Sequence, residues 1–176
     1  MNRSRDKVRC ALNHQNAGSI PVDFGSTAVT GIHCRIVEAL RNYYGLAPRP
    51  VKIVDAFQML GEIDAELAEK IGVDCIGIGG PKDIFDLDTT RMHEQTTPWG
   101  QRVLVPEAMD LTPDMRGDVY VYAGGDQNYP PSAVMPKGCY FTNAIERQQP
   151  IEEDRLDPED NVEEFGLLTE NDLAYY

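Results

Sequence analysis

The chain has 176 residues, 16 basic against 29 acidic, giving a formal net charge of −13, and 41% of it is hydrophobic. That length suits one domain with a sizeable core, and the charge excludes a nucleic-acid partner, because neutralising phosphates takes clustered Lys and Arg. No apolar run approaches the roughly 18 residues of a transmembrane helix, and Met1-Asn2-Arg3-Ser4-Arg5-Asp6 leads into no signal-peptide core, so no membrane partner is expected. Cysteines at 10, 34, 75 and 139 have no CxxC spacing and read as reduced thiols of a cytoplasmic protein.

Residues 4–14 predict an opening helix, with Ser4 as N-cap and Val8, Ala11 and Leu12 on one stripe. After Gly18-Ser19, Ile20-Pro21-Val22-Asp23-Phe24 reads as a short strand ending at Gly25. Thr30 then caps a helix carrying Ile32, Ile36, Val37 and Leu40 at helical spacing, with Gly45 as its stop. Pro48 and Pro50 mark a loop, and Asp55 caps a second helix whose buried stripe is Met59, Leu60, Ile63, Leu67 and Ile71, ended by Gly72. Val73-Asp74-Cys75-Ile76-Gly77-Ile78 follows as an apolar strand closed by Gly79-Gly80-Pro81. A helix handing over to a buried strand through a glycine predicts a βα repeat and a parallel sheet.

The pattern changes after Pro81. Residues 89–97 and 101–105 flank Pro98-Trp99-Gly100 as a hairpin, and Val119-Tyr120-Val121-Tyr122 is a strand running into Gly124-Gly125-Asp126. A further hairpin is expected with arms at 134–135 and 139–141 around Pro136-Lys137-Gly138. Residues 151–176 hold ten acids and one base, −9, which leaves −4 for the first 150 residues. Leu156, Val162, Phe165, Leu167 and Leu168 interleave with those acids, so the segment reads as a solvated connector with apolar anchors. Thr169-Glu170-Asn171-Asp172 resembles a capping box opening a helix that stops at Tyr176, which suggests the front part of a longer protein.

Reactive motifs are scarce. There is no Walker loop and no G-x-S-x-G elbow, and Gly77-Ile78-Gly79-Gly80 lacks G-x-G-x-x-G spacing. His14, His33 and His93 form no metal motif: His33 and Cys34 are neighbours on a helix, pointing about 100° apart, and cannot easily share one ion. Cys10, Cys75 and Cys139 read as packing residues, and Arg35 and Arg41 as surface charges. Carboxylates at strand ends remain. Asp23 either works in proton transfer or ligand binding or accepts backbone hydrogen bonds in its turn, and Asp83 reads as a helix cap. Asp126 is a ligand contact or an Asx-turn residue.

Taken together, Arg3, Arg5 and His14 on the opening helix, Ile20-Pro21-Val22-Asp23-Phe24-Gly25, Thr30-Gly31-Ile32, Gly45-Leu46, Asp55 and Ile71-Gly72-Val73-Asp74 form an ordered series. It continues through Gly124-Gly125-Asp126, Met135-Pro136-Lys137-Gly138-Cys139-Tyr140-Phe141 and Leu156-Asp157-Pro158-Glu159-Asp160-Asn161. The series resembles the front half of the uroporphyrinogen decarboxylase (URO-D) superfamily, nearest its branch beside the corrinoid-dependent methyltransferases. The resemblance implies an α/β fold, the front part of a (β/α)₈ TIM-type barrel with an inserted antiparallel β-hairpin region. Its divisions would be 1–83, the helix and first βα units; 84–143, the β-rich insertion; and 144–176, the acidic connector and the start of a helix. A whole barrel of this kind needs about 250 residues.

The series departs from the decarboxylase pattern where that enzyme grips its substrate. The Arg-Gln-Ala-Gly-Arg loop is replaced by Val22-Asp23-Phe24-Gly25-Ser26-Thr27, without a cation, and the Phe-Ser-Asp segment by Gly79-Gly80-Pro81, with Asp83 two positions late. A polyanionic tetrapyrrole would be repelled there. The resemblance therefore implies a methyltransferase whose partner is a corrinoid protein or a small-molecule substrate, with zinc held by residues of the second half. It assigns only lining to this half: Asp23, His33 and Asp126. A uroporphyrinogen decarboxylase and a non-catalytic ligand-binding barrel are the alternatives. Half a barrel would be inactive alone, and its open edges would favour a homodimer.

Overall fold

The computed structural model describes residues 3–147 and Glu170, and its contacts divide the chain into two units, Met1–Ala144 and Ile145–Tyr176. The first unit is mixed α/β. Of the second, only residues 145–147 and Glu170 are described, so the expected acidic connector and closing helix lie outside the described residues.

The opening helix, α1 (Arg3–Leu12), forms as expected. Lys7 reaches Asp74 at 2.5 Å and anchors the helix to a distant segment. Helix α2 (Cys34–Tyr43) buries Cys34, Val37 and Arg41, a single stripe at spacings of three and four. Its N-cap is His33 rather than the expected Thr30: the ring accepts from the Arg35 N–H, while Thr30 bonds within its own loop to Thr27 and Asp23. Arg41, expected at the surface, is 3% exposed, because Asp64, Glu66 and the Ala47 carbonyl converge on its guanidinium.

The largest correction concerns residues 51–64. Val51–Asp55 is strand β1 and Leu60–Gly61 is strand β2, where a helix from Asp55 was expected. Val51 and Ile53 alternate inward and Asp55 closes the turn by accepting from the Gln58 N–H. Met59, at φ 52 in the left-handed region, is fully buried there. The helical stripe is real only from Asp64, which caps α3 (Ala65–Ile71) by accepting from the Glu66 and Leu67 N–H groups. Gly72 ends that helix at φ 85, the conformation that made glycine the expected stop.

Two expected strands, 20–24 and 73–78, are absent. The segments nonetheless run side by side: the Asp74 N–H donates to the Val22 carbonyl at 2.7 Å, and the Val22 N–H to the Asp74 carboxylate at 2.9 Å. Gly77 is backed so closely on Ser26 that a Cβ would lie 2.0 Å from its carbonyl oxygen. A two-stranded parallel pair with no further neighbours has too little cover to hold a ladder, and Ile76 and Ile78 remain exposed.

The hairpin around Pro98-Trp99-Gly100 forms as expected, from β3 (Met92–Thr96) and β4 (Arg102–Pro106), with Gly100 at φ 85. One sheet has the order β2-β1-β4-β3, in which β1 and β4 are parallel and the outer pairs antiparallel. The second is an antiparallel meander of β5 (Val119–Val121), β6 (Ala133–Met135) and β7 (Asn143–Ala144). Here the expected partner of β6 is displaced. The arm is β7, and residues 139–141 turn away after a tight turn in which the Cys139 N–H donates to the Pro136 carbonyl. Cys139 is consequently exposed rather than packed. Inward residues of both sheets, including Val51, Ile53, Val103, Val105, Val119, Val121 and Met135, join Val37 and Leu67 in one core. Among the described residues no helix is long and apolar enough to cross a membrane.

Candidate functional site

Asp23 is exposed, and its carboxylate accepts from the Ser26 N–H and the Thr30 hydroxyl, both at 3.3 Å, inside its own loop. Asp126 is also exposed and accepts from the Asn128 N–H and side-chain amide, at 2.9 and 2.7 Å. It follows the short 3-10 turn Ala123–Gly125, in which Gly125 (φ 77) lies against Ala108 where a Cβ would fall 2.5 Å from the alanine's own. A cleft of about 180 Å³ beside that turn is lined by Leu87, Met109, Asp110, Asp114, Tyr120 and Tyr122. Asp83 caps a loop rather than a helix: one oxygen accepts from the Phe85 and Leu87 N–H groups. Its other oxygen is buried without a partner among the described residues, and burial, helped by the nearby Asp55 and Asp86, raises its pKa.

His33 is the predicted residue around which others gather. As the N-cap of α2 it accepts the Arg35 N–H on Nδ1 at 3.2 Å, which leaves Nε2 to donate to the Tyr140 carbonyl at 2.9 Å. Those two partners define the neutral tautomer. Trp99, from the β3–β4 turn, lies 5.5 Å from the imidazole centroid, Phe141 5.1 Å and Tyr140 6.2 Å. The Arg35 guanidinium covers the Tyr140 ring at 4.5 Å, a cation–π distance. The site is therefore one helix N-terminus, one hairpin tip and the segment that failed to continue the meander.

Gln101 holds this assembly from beneath. It is buried, and its Oε1 accepts from Trp99 Nε1 at 3.0 Å and from Cys34 Sγ at 3.4 Å, while Nε2 donates to the Cys34 carbonyl at 3.0 Å. Burial pushes the Cys34 thiol up to about 12, so it serves here as a donor and packing group.

The structure thus brings His33 together with Trp99, Tyr140, Phe141 and Arg35, while the hydrogen bonds of Asp23 and Asp126 run to their own turns. Trp99, Gln101, Tyr140 and Phe141 were missed as site residues. One signal was available: adjacent aromatics in a strand point to opposite faces, so Tyr140-Phe141 could not both have entered the core. Chemically, His33 has both nitrogens occupied, and what the site offers a ligand is ring faces and the edge of a guanidinium. Among the described residues no group of three or more His, Cys, Asp or Glu side chains could hold a metal ion. No family model, curated protein or solved structure matches the chain.

Proposed function

We propose that this α/β unit is the front part of a (β/α)₈ barrel of the URO-D kind, and that the whole protein is a corrinoid-linked methyltransferase. The observation that carries the reading is the adjacency of residues 20–26 and 73–77, linked by the Asp74–Val22 backbone bond and by Gly77 against Ser26. These are the expected first and second barrel strands, and adjacent strands of a parallel barrel need that neighbourhood. In this reading the front half supplies wall. His33 with both nitrogens held, and Trp99, Tyr140 and Phe141 around it, fit a wall that orients a ligand without exchanging protons. The four cysteines are free, which accords with a cytoplasmic setting.

The described residues do not make the zinc site this function uses, and no step through zinc or the corrinoid is derived from them. The test is made on the complete gene product. A histidine and two cysteines in its second half, zinc in the purified protein, and thiol-dependent loss of the methyl group from methylcobalamin are the expected results. A complete sequence without those ligands, or a protein inert toward methylcobalamin, sinks the proposal. The decarboxylase alternative is disfavoured by residues 22–27, which carry no cation. Release of carbon dioxide from uroporphyrinogen would reinstate it. A non-catalytic ligand-binding barrel is favoured by one observation, the full engagement of His33. It would be preferred if the complete sequence carried neither set of functional residues.

A further inference from the structure

The cleft beside the Ala123–Gly125 turn owes its two rings to the alternation of one strand. Val119 and Val121 of β5 are buried in the core, and Tyr122 continues the strand in an extended conformation. Tyr120 and Tyr122 therefore fall together on the opposite face, and both line the cleft. Asp110 and Asp114 join them from the segment after β4, each tied to its own turn through one carboxylate oxygen. Asp110 Oδ1 accepts the Thr112 N–H at 2.8 Å, and Asp114 Oδ1 accepts the Arg116 and Asp118 N–H groups at 2.8 and 3.0 Å. These backbone donors, Asp118 foremost, hold the Asp114 carboxyl below the usual carboxylate range, so it is ionised at neutral pH. The Oδ2 atoms of both acids, the two tyrosine hydroxyls and the amide of Gln127, which also lines the cleft, have no hydrogen-bond partner among the described residues.

We propose that this cleft binds a small organic ammonium ion, its charge against Asp110 and Asp114 and its alkyl groups against the rings of Tyr120 and Tyr122. The lining selects this class. It carries two carboxylates and no Lys, Arg or His, while Arg116 acts on Asp114 only from its own turn, so carboxylates and phosphates are repelled. A neutral ligand of the same shape would cover two charges without answering them. A bare metal ion lacks ligands, because no group of three or more His, Cys, Asp or Glu among the described residues could hold one. An alkylammonium ion meets both halves of the lining, since a tyrosine ring presents a negative face to a cation. The cleft, at about 180 Å³, lies below the roughly 300–1,000 Å³ of sites for drug-sized ligands, which limits the occupant to a compact amine. The proposal goes beyond the methyltransferase reading and does not rest on it, because its readout is binding to the chain as it stands.

The experiment is a nuclear magnetic resonance titration of the ¹⁵N-labelled 176-residue chain at constant chloride, with choline, n-butylammonium and the neutral choline isostere 3,3-dimethylbutan-1-ol. At ordinary ligand efficiency a cation of this size binds with a Kd of about 1 mM, and the shifts should cluster at residues 108–114 and 120–127. Tighter binding of choline assigns the site to quaternary ammonium groups and tighter binding of n-butylammonium to primary amines; either order supports the proposal. Asp110→Asn with Asp114→Asn keeps the Oδ1 acceptors of both turns, removes only charge, and should weaken the better cation about tenfold. Tyr122→Leu should weaken it about fivefold through loss of the ring, and keeps the test alive if the double variant does not fold by circular dichroism. No saturation with either cation up to about 50 mM overturns the proposal. So does equal binding of the neutral alcohol, a set of shifts centred elsewhere, or affinity indifferent to both sets of substitutions.

Discussion

Replacing Gln101 by Leu isolates what holds the aromatic site in place. The substitution preserves bulk at a buried position and removes the bonds to Trp99 Nε1 and the Cys34 carbonyl, each 3.0 Å long, together with the weaker Cys34 thiol contact. Each neutral hydrogen bond contributes about 1 kcal/mol net. The Cys34 carbonyl, at the first position of α2, keeps its helical acceptor role, and Trp99 is half-buried, so its indole N–H regains water. Neither group is stranded, and the loss is therefore about 2 kcal/mol rather than the larger cost of an orphaned buried polar atom. Urea unfolding followed by tryptophan emission reads this directly, because Trp99 is the only tryptophan in the chain. The midpoint should fall at an unchanged slope, the melting temperature should drop by about 4–8 °C, and the native emission should shift as the indole loses its fixed acceptor. A change below about 0.5 kcal/mol with an unaltered native spectrum would refute the assignment of Gln101 as the support of the site.

Three further outcomes follow from the geometry. Arg41→Ala should cost about 3 kcal/mol in the same assay, at the low end for a broken buried pair because Arg49 still reaches Asp64; Arg102→Ala, at the exposed pair with Glu94, should hardly move the midpoint. Lys7 and the Val22 N–H hold Asp74 down to about 2 from an ordinary 3.8, so the stability it contributes is complete above the ordinary value and is lost as pH falls toward 2. Melts of wild type and Asp74→Asn should therefore differ at pH 5 and converge between about pH 4 and about pH 2, and a gap that stays constant through that window would contradict the linkage. Iodoacetamide at pH 8 should label the exposed Cys139 and leave Cys34 untouched until urea unfolds the chain, as peptide masses will report; equal labelling rates would contradict the burial argument.

Legibility followed the range of the interactions. The β3–β4 hairpin was readable because its signal is local: a Pro-Trp-Gly turn between two extended runs, with Gly100 supplying the positive φ. Helix α2 and the Gly72 stop were readable for the same reason. Residues 51–64 were not. The run from Met59 to Ile71 has helical spacing, but Val51 and Lys52 are claimed by β4, which lies far along the chain, and Asp64, not Asp55, offers its carboxylate to the N–H groups that open α3. Conversely, residues 20–24 and 73–78 have the composition of strands without the neighbours that would make them strands. At the site, His33 was singled out on sequence, whereas its ring partners arrive from a hairpin tip and from residues 139–141, a convergence that no spacing encodes. Arg41 was mistaken for a surface charge because the acids that bury it belong to the next helix.

The parallel pairing of β1 with β4 also sets an order of events in folding. Val51 and Val103 are partners, so the central ladder closes a loop of about fifty residues before any of its hydrogen bonds is rewarded. The β3–β4 hairpin, joined by a tight turn, forms far faster by itself and offers β4 as a ready edge. As the chain leaves the ribosome, α2, β1 and α3 emerge first and must wait, with Val51 and Ile53 uncovered, until that hairpin arrives to receive them. Slowing hairpin formation at Gly100 should thus delay the burial of the opening half of the protein, at a distance in sequence from where the delay was introduced.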